Sequence, residues 1–456
     1  LPTDGSELPV FATASETARL LKKHAAALGV PVRTEHLTSS AARPADTQAW
    51  LERLFARSAE PYADDAPHLA LHSAATRAEE CEFAAAYVQR HVRGGGRYRD
   101  VTIAVSDPAA YLPLLRSVFG RAGIPAYFSG TMPVVQHPAV AALRAALHAA
   151  ERYEYEPVMQ YLKSPLSPLT REAADRLEQY AYRWNLHGSV WEQPLQFHPS
   201  GYGAPWTDDD RAVLAQLELW REAAIAPVQT LRAALRRAGC LAESVEAVAQ
   251  FLMQTGLAET LGGQAEQLHA AGQTQQAQQT EQLYEYLLQA LEQIWQIAGR
   301  QSMPQEQFLQ LLELLLGCYS IGSIPAKADE VQIGPLPAMR HRQTGVFLLL
   351  GAEEGKFPSF QTPDGLLSDE ERKKLLSLGL SLAPSQESRL ERELGWIYTA
   401  LSAATGQVVL STGGGQASYL LERTRLLFPA ARVLRREDYA YVPDAGAAAA
   451  AYVRAE

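Results

Sequence analysis

The chain has 456 residues, of which 47% are hydrophobic and 20% charged, a composition typical of a globular protein with about two to four domains. Its formal net charge of −10 argues against a uniformly basic nucleic-acid surface, so any contact with phosphates must come from local clusters of Lys and Arg. The sequence has neither a run approaching about 18 apolar residues nor a signal peptide, so we expect neither a membrane span nor secretion.

The three cysteines, Cys81, Cys240 and Cys318, are far apart and show no Cys-x-x-Cys spacing. This pattern predicts neither a disulfide framework nor a zinc or iron–sulfur site, and it fits a reducing cytoplasm. The first residue is Leu1 instead of Met, in a segment typical of the middle of a domain. We therefore expect the chain to be part of a longer protein.

The opening segment is predicted to be strand, helix and strand, followed by a second helix. Residues 8–12 suggest a strand, Ser15 caps an apolar-periodic run that continues to Leu28, and residues 30–34 suggest another strand. The second helix is predicted at about 47–58.

Residues 68–130 have a clearer α/β pattern. Strands are predicted at 69–72, 101–105 and 124–128, and amphipathic helices at 76–92 and 109–121. Strands that alternate with helices of this length predict a parallel sheet with helices on both faces.

The strand pattern disappears between residues 138 and 320, where helix follows helix and a Gln-rich stretch at 262–282 is interpreted as a solvated helix face. The α/β pattern then returns, with strands at 331–333, 346–350 and 407–411 and helices that begin at Ser368 and Leu390. An α/β layer that is interrupted by helices and then resumed indicates an inserted domain.

Several motifs of catalytic sites are incomplete. Gly355-Lys356-Phe357 lacks the upstream glycine and the hydroxyl residue of a phosphate-binding P-loop. Gly413–Gly415 favour a flexible turn over an anion site. The acidic helix start at Ser368 fits capping better than a metal nuclease. His341 has no partner at metal-ligand spacing, so we predict no metal site.

Several segments in a fixed order resemble the second motor domain of UvrD-like superfamily 1 helicases. They are Leu71-His-Ser-Ala-Ala-Thr-Arg-Ala-Glu-Glu-Cys-Glu-Phe83, the strand at 101–105, Leu350-Gly-Ala-Glu-Glu-Gly-Lys-Phe-Pro358 and the helix–strand pair at 394–411. Glu156-Pro-Val-Met-Gln-Tyr-Leu-Lys-Ser-Pro165 and the stretch from Leu177 to Trp191 resemble the AddB family in particular. The resemblance covers residues 66–425, and its motif residues are Glu353, Glu354, Gly355, Phe357 and Pro358.

The resemblance implies an α/β, RecA-like (P-loop-NTPase-like) motor domain with a parallel sheet, interrupted by a large all-helical insertion. It divides the chain into a remnant of a first motor domain, the first part of a second, the insertion, the second part of that domain, and a linker toward a nuclease domain. The corresponding ranges are 1–62, 63–140, 141–322, 323–430 and 431–456. The nuclease domain, with its cysteine-ligated iron–sulfur cluster, is expected outside this chain.

Three departures from active relatives indicate that nucleotide chemistry has been lost. Where the family carries the arginine that reaches the γ-phosphate of ATP, the alignment places Ser402 and Ala403. The loop at 334–345 has no lysine, and Ser106-Asp107 stand where relatives place an arginine. We expect no catalytic residue and no cofactor in this chain, whereas the longer parent is expected to use ATP, Mg²⁺ and an iron–sulfur cluster.

Local basic groups are the candidates for DNA contact, because phosphate neutralisation dominates affinity for DNA. Loops near these positions face the DNA in related motor domains, and the residues are Arg340, His341, Arg342, Lys163, Ser164, Arg97 and Arg99. A solvated surface charge is the alternative for each. The aromatic residues Tyr127, Phe128, Trp184 and Trp191 are predicted to lie in the core instead of stacking on bases.

The sequence therefore predicts the helicase-like, catalytically degenerate DNA-binding part of a bacterial helicase–nuclease subunit that acts in resection of double-strand break ends and recombinational repair. By resemblance, it would hold single- and double-stranded DNA ends, scan single strands for a Chi-type signal, and pair with an AddA-like helicase–nuclease subunit in the cytoplasm. Two alternatives stay open. The chain could belong to an active ATP-dependent helicase, or to a scaffold that docks the partner and never touches DNA.

Overall fold

The computed structural model describes residues 8–35, 43–322, 328–339, 343–359, 367–380, 382, 385–435 and 439. The chain divides into two compact units. We call residues 1–130 with 325–456 the sheet unit, and residues 131–324 the helical unit.

The helices of both units are given in chain order. They are α1 (Pro9–Ala27), α2 (Ala45–Leu54), α3 (Arg77–Arg93), α4 (Pro108–Arg121), α5 (Pro138–Arg152), α6 (Tyr155–Leu162), α7 (Arg171–Arg183), α8 (Asp208–Arg237), α9 (Leu241–Gln254), α10 (Leu257–Ala270), α11 (Thr274–Ala298), α12 (Gln305–Cys318), α13 (Leu336–Met339), α14 (Asp369–Ser377), α15 (Gln386–Ser402) and α16 (Tyr419–Leu427).

The strands are β1 (Ala66–Ala74), β2 (Val101–Val105), β3 (Ala126–Phe128), β4 (Met132–Pro133), β5 (Ser320–Ile321), β6 (Val331–Pro335), β7 (Thr344–Leu350), β8 (Ala404–Gly413) and β9 (Ala431–Leu434). Within the described residues, the sheet unit has one seven-stranded sheet in the order β3-β6-β2-β7-β8-β1-β9. Its neighbouring strands all run parallel, and Ile103 of β2 lies opposite Ile333 and Leu348. β4 and β5 pair antiparallel in the helical unit.

Helices cover both faces of the sheet. Ile103 lies in one buried cluster with Phe119 of α4, whereas its neighbour Ala104 lies in a second cluster with Trp50 of α2 and Ile397 of α15. Burial on both faces explains why the central strands are continuous runs of apolar residues. The predicted fold, a RecA-like parallel sheet interrupted by a helical insertion, is confirmed.

The helical unit follows β3 in the chain and precedes β6, and it contains α5 to α12. Its core includes Tyr161, Trp191 and Phe251, each at most 1% exposed. The longest helix, α8, begins with a capping box in which Thr207 Oγ1 accepts from the Asp210 N–H and the Asp210 carboxylate accepts from the Thr207 N–H. Reciprocal bonds of this kind satisfy backbone groups that the first helical turn leaves open.

The two strands predicted at the start of the chain are wrong. Residues 8–12 belong to α1 or its cap, and residues 30–34 form no strand. Pro9 occupies the first helical position, where a backbone N–H is not needed and the fixed φ of proline suits a helix. Phe11 is 5% exposed and meets the ring of Tyr398 edge-on at 5.1 Å, so this apolar segment covers α15 instead of joining the sheet.

The last strand lies inside the range predicted as a linker. β9 pairs parallel with β1, with Val433 opposite Leu71, and extends the sheet by four residues beyond position 430. Ala431 and Leu434 are buried, whereas Arg432 and Val433 between them are exposed. A strand so short with two exposed central residues has no period that would predict it from sequence.

Candidate functional site

A polar cluster lies at the carboxyl edge of the sheet, where β1, β2, β7 and β8 end. We call it the edge cluster, and its members are Arg77, Glu80, Asp107, Tyr111, Gly351, Glu353, Lys356 and Gly413. Parallel strands bring the residues that follow them to one edge, and open α/β sheets bind ligands there. α3 and α4 also begin at this edge, with their first turns capped by the side chains of Thr76 and Asp107.

Glu80 is the buried centre of the edge cluster. It lies in the first turns of α3 and is 0% exposed. Its Oε1 accepts the N–H of Gly351 at 3.0 Å, and its Oε2 accepts the hydroxyl of Tyr111 at 2.5 Å. Burial raises the pKa of Glu80, and the hydrogen bonds from Ser411, Tyr111 and Gly351 offset only part of that rise. One carboxyl group thus joins α3, α4 and the end of β7.

Ser411 extends the buried network toward β1. The hydroxyl of Ser411 lies 2.9 Å from Nδ1 of His72, and both residues are buried. The His72 ring stacks on Phe83 with 3.5 Å between the ring centroids. Burial lowers the pKa of His72 to about 4, so the ring is neutral at pH 7.

Two glycines permit the close approach of these side chains. A Cβ atom on Gly413 would lie 2.4 Å from Glu80 Oε2 and 2.7 Å from the Tyr111 hydroxyl. A Cβ atom on Gly351, which has a φ of +73°, would lie 2.5 Å from Ser106 Oγ. These distances are shorter than any normal carbon–oxygen contact, so both positions require glycine.

The predicted motif residues hold loops together at the same edge. Glu353 is 7% exposed, and its Oε2 lies 3.4 Å from Arg77 Nη2. Glu354 Oε2 accepts the N–H of Tyr419 at 3.1 Å, in the first turn of α16. Gly355 has a φ of +73°, Phe357 is 2% exposed in the core, and Pro358 follows a cis peptide bond.

Lys356 gives the motif a further contact with the end of β2. Its Nζ lies 3.0 Å from Asp107 Oδ2, and this hydrogen bond lowers the pKa of Asp107 below its ordinary value. Ser106, the preceding residue, donates its hydroxyl to the Gly351 carbonyl. The predicted departure at Ser106-Asp107 therefore has a structural role in tying β2 to the segment after β7.

The edge cluster is suited to holding an anion more than to acid–base catalysis. Glu80 is sealed in the interior, and Glu353 is nearly so. The cations are the accessible members, because the side chains of Arg77 and Lys356 are 42% and 50% exposed. Both residues lie in segments that carry the family resemblance, yet sequence reasoning assigned neither a role, because their proximity depends on the strand order.

The predicted DNA contacts Lys163 and Ser164 lie in the helical unit, directly after α6. Lys163 Nζ is hydrogen-bonded to Glu178 and lies 3.6 Å from Asp175 Oδ1. The bond to Glu178 raises the pKa of Lys163. Ser164 Oγ accepts the N–H of Leu166 at 3.3 Å. Two carboxylates therefore offset the charge of Lys163 at this corner.

Arg97 and Arg99 lie in the sheet unit, at the edge opposite to the edge cluster. They belong to the short turn that enters β2, and the Arg99 N–H donates to Asp329 Oδ1 at 2.9 Å. The predicted contacts Arg340, His341 and Arg342 lie outside the described residues. The structure thus brings Lys163 and Ser164 together in one unit and places Arg97 and Arg99 in the other.

The predicted arginine-finger position closes α15. Ala403 is 8% exposed, and its carbonyl accepts the N–H of Thr344 at 3.1 Å. The Ser402 hydroxyl donates to the Thr399 carbonyl at 2.9 Å. Arg43 donates from Nη2 to the Ser402 carbonyl. A guanidinium at a helix C-terminus satisfies carbonyls that the helix leaves open, which is a structural role for Arg43.

The residues present do not fit an iron–sulfur cluster. Cys81 is fully buried in α3, and burial raises the pKa of its thiol, whereas Cys240 and Cys318 belong to the helical unit. Across the described ranges, three or more His, Cys, Asp or Glu side chains nowhere converge as a metal site. Each described helix is too short or too polar to cross a membrane.

Curated relatives match most of the chain, and all three described here are named as the B-type subunit of an ATP-dependent helicase/deoxyribonuclease. The chain is 30% identical over 452 residues to the Geobacillus kaustophilus protein, a match that covers 94% of this chain and 39% of that protein. The identity is also 30% to the Symbiobacterium thermophilum protein, over 97% of this chain and 39% of the relative, and to the Desulforamulus reducens protein, over 80% and 32%.

The chain spans somewhat more than a third of the length of most of these relatives. No protein-family model matches it. The similarity covers both units, because the matched 94% and 97% of the chain include the sheet and the helical insertion. The chain belongs to the AddB family of helicase/deoxyribonuclease subunits.

Proposed function

We propose that this chain is the DNA-holding, catalytically degenerate part of a helicase–nuclease subunit that acts on DNA ends in break repair and recombination. The relatives' name supports the helicase–nuclease setting. The RecA-like sheet supports a motor-derived scaffold. In the proposal, the longer parent uses ATP, Mg²⁺ and an iron–sulfur cluster and works in the cytoplasm with an AddA-like companion subunit.

The observation that carries the degenerate state is the environment of Ala403. A methyl group stands where the family resemblance calls for an arginine, and it cannot stabilise charge on a transferring phosphoryl group. The backbone around it is occupied by hydrogen bonds from Thr344 and Arg43. The edge cluster supports the same conclusion, because Glu353, Glu354 and Lys356 bind neighbouring segments of the fold.

DNA holding rests on local cations. Arg77 and Lys356 are half-exposed at the edge cluster, and the predicted contacts add Arg97, Arg99 and the Arg340–Arg342 segment. Such groups neutralise phosphates and release counterions, so affinity falls steeply as salt rises. Scanning for a Chi-type signal is a further part of the proposal, and the family resemblance is its support.

The DNA-holding proposal predicts salt-dependent binding of fluorescent poly-dT. We expect the double variant Arg340→Glu/Arg342→Glu to weaken binding by about tenfold or more at low salt, and by a similar factor for other base sequences, because phosphate contacts carry no sequence information. Fluorescence anisotropy over a salt series measures both the affinity and its salt slope.

The matched control is Lys22→Glu/Lys23→Glu on α1, which makes the same change in net charge at two exposed positions. It should leave the affinity near that of the unchanged chain. Equal losses in both double variants would mean that net charge alone is responsible. Absence of poly-dT binding at low salt would contradict DNA holding and favour the scaffold alternative.

A further inference from the structure

An exposed aromatic loop projects from the helical unit between α7 and α8. Tyr202 is 97% exposed, Phe197 is 46% exposed and Trp206 is 42% exposed. Tyr182, near the end of α7, is 77% exposed. Large aromatic side chains cost free energy when left in water, and tyrosine and tryptophan are enriched in protein interfaces. We call residues 195–207 the aromatic loop.

Hydrogen bonds hold the base of the aromatic loop. The Tyr180 hydroxyl accepts the N–H of Phe197 at 2.9 Å, and the Trp184 indole donates to the His198 carbonyl at 3.1 Å. The Trp184 ring also stacks on Phe197 with centroids 4.7 Å apart. These contacts anchor Phe197 and His198 to α7, so the aromatic loop starts from a fixed position.

The tip and the far side of the aromatic loop are also tied. Gly201 and Gly203, with φ values of +114° and +81°, flank Tyr202 and turn it outward. Ser200 Oγ donates to Asp210 Oδ1 at 3.0 Å, which fixes the tip against the start of α8. An exposed side chain on a pre-ordered loop loses little conformational entropy when a partner binds.

The charges beside the aromatic loop are acidic. α8 opens with Asp208, Asp209 and Asp210, and the Asp208 side chain is 98% exposed. Asp209 is exposed as well, and Arg183 at the base donates to the Pro199 carbonyl. Carboxylates at this density repel DNA phosphates and attract cationic side chains. The charge pattern therefore favours a protein surface over a nucleic acid.

We propose that the aromatic loop docks a protein surface that presents cationic side chains around a shallow apolar pocket. Tyr202 and Trp206 fill the apolar pocket, and Asp208 and Asp209 pair with the cations at its rim. The inference rests on the proposed function, in which that surface belongs to the companion helicase–nuclease subunit.

The test measures the affinity of the full chain for the companion subunit encoded in the same genome. Tyr202→Ala/Trp206→Ala is expected to weaken the complex by at least about tenfold, because buried aromatic anchors dominate interface energies. Asp208→Asn/Asp209→Asn is expected to flatten its salt dependence. Isothermal titration calorimetry at two salt concentrations measures both.

Trp295→Ala is the matched control, because Trp295 is 51% exposed on α11, a helix outside the aromatic loop. It should leave the affinity for the companion subunit unchanged. Unchanged binding by the Tyr202→Ala/Trp206→Ala variant would overturn the docking inference alone. Loss of poly-dT binding in that variant, with companion binding intact, would assign the loop to DNA. No complex with the unchanged chain would overturn both the docking inference and the proposed companion.

Discussion

Replacement of Glu80 by alanine is expected to cost the sheet unit about 3–5 kcal/mol of unfolding free energy. The variant leaves the Gly351 N–H and the Tyr111 hydroxyl without their carboxylate acceptor in a buried site, and it removes the link between α3, α4 and β7. Hydrogen-exchange mass spectrometry measures this loss, because peptides from β2 and β7 report the opening of the sheet unit separately from the helical unit.

Two companion variants separate hydrogen bonding from general damage. Glu80→Gln keeps one carbonyl acceptor and the side-chain volume, so we expect about half of the loss. Glu52→Ala on α2 removes an exposed glutamate from the same unit and should change stability by at most about 0.5 kcal/mol. A Glu80→Ala protein as stable as the Glu52→Ala protein would show that the edge cluster does not hold the sheet together.

Gly413→Ala is expected to destabilise the sheet unit by about 1–3 kcal/mol, the usual cost of overpacking. The new methyl group would lie 2.4 Å from Glu80 Oε2 and 3.0 Å from the backbone of Arg77. The buried carboxyl group or the start of α3 must therefore shift. Urea unfolding measures the cost, and exchange of β8 peptides locates it.

Gly120→Ala is the matched control, with the opposite expected sign. Gly120 lies in α4, and a Cβ atom there meets nothing within 4 Å. The substitution should stabilise the protein by about 0.4–1 kcal/mol, because alanine restricts the unfolded chain and favours helix. Equal effects of the two substitutions would contradict the close packing assigned to Gly413.

The core strands could be predicted from sequence because burial on both faces leaves a local signature. β2 reads Val-Thr-Ile-Ala-Val, and all five residues are buried. Residues 8–12 lack such a signature, since a short apolar run at a helix start looks like a strand. Trp191 and Phe128 are buried as predicted, whereas Trp184 is only partly buried and stacks on Phe197.

The edge cluster could not be predicted in the same way. The bond from Gly351 to Glu80 joins residues 271 positions apart, and it exists because the strand order brings the end of β7 near the start of α3. The motif at Glu353–Pro358 is recognisable from its residue types, but its roles as ion-pair partner, helix cap and core residue depend on that same order. Long-range pairing of this kind leaves no local sequence pattern.

The most direct test of DNA holding without ATP turnover measures phosphate release and poly-dT binding in one sample of the full chain. We expect salt-dependent poly-dT binding with phosphate release no greater than in a protein-free control. Ala403→Arg should leave both results unchanged. DNA-stimulated phosphate release that co-elutes with the protein on gel filtration, and that Arg43→Ala abolishes, would contradict the account and show that Arg43 replaces the missing arginine.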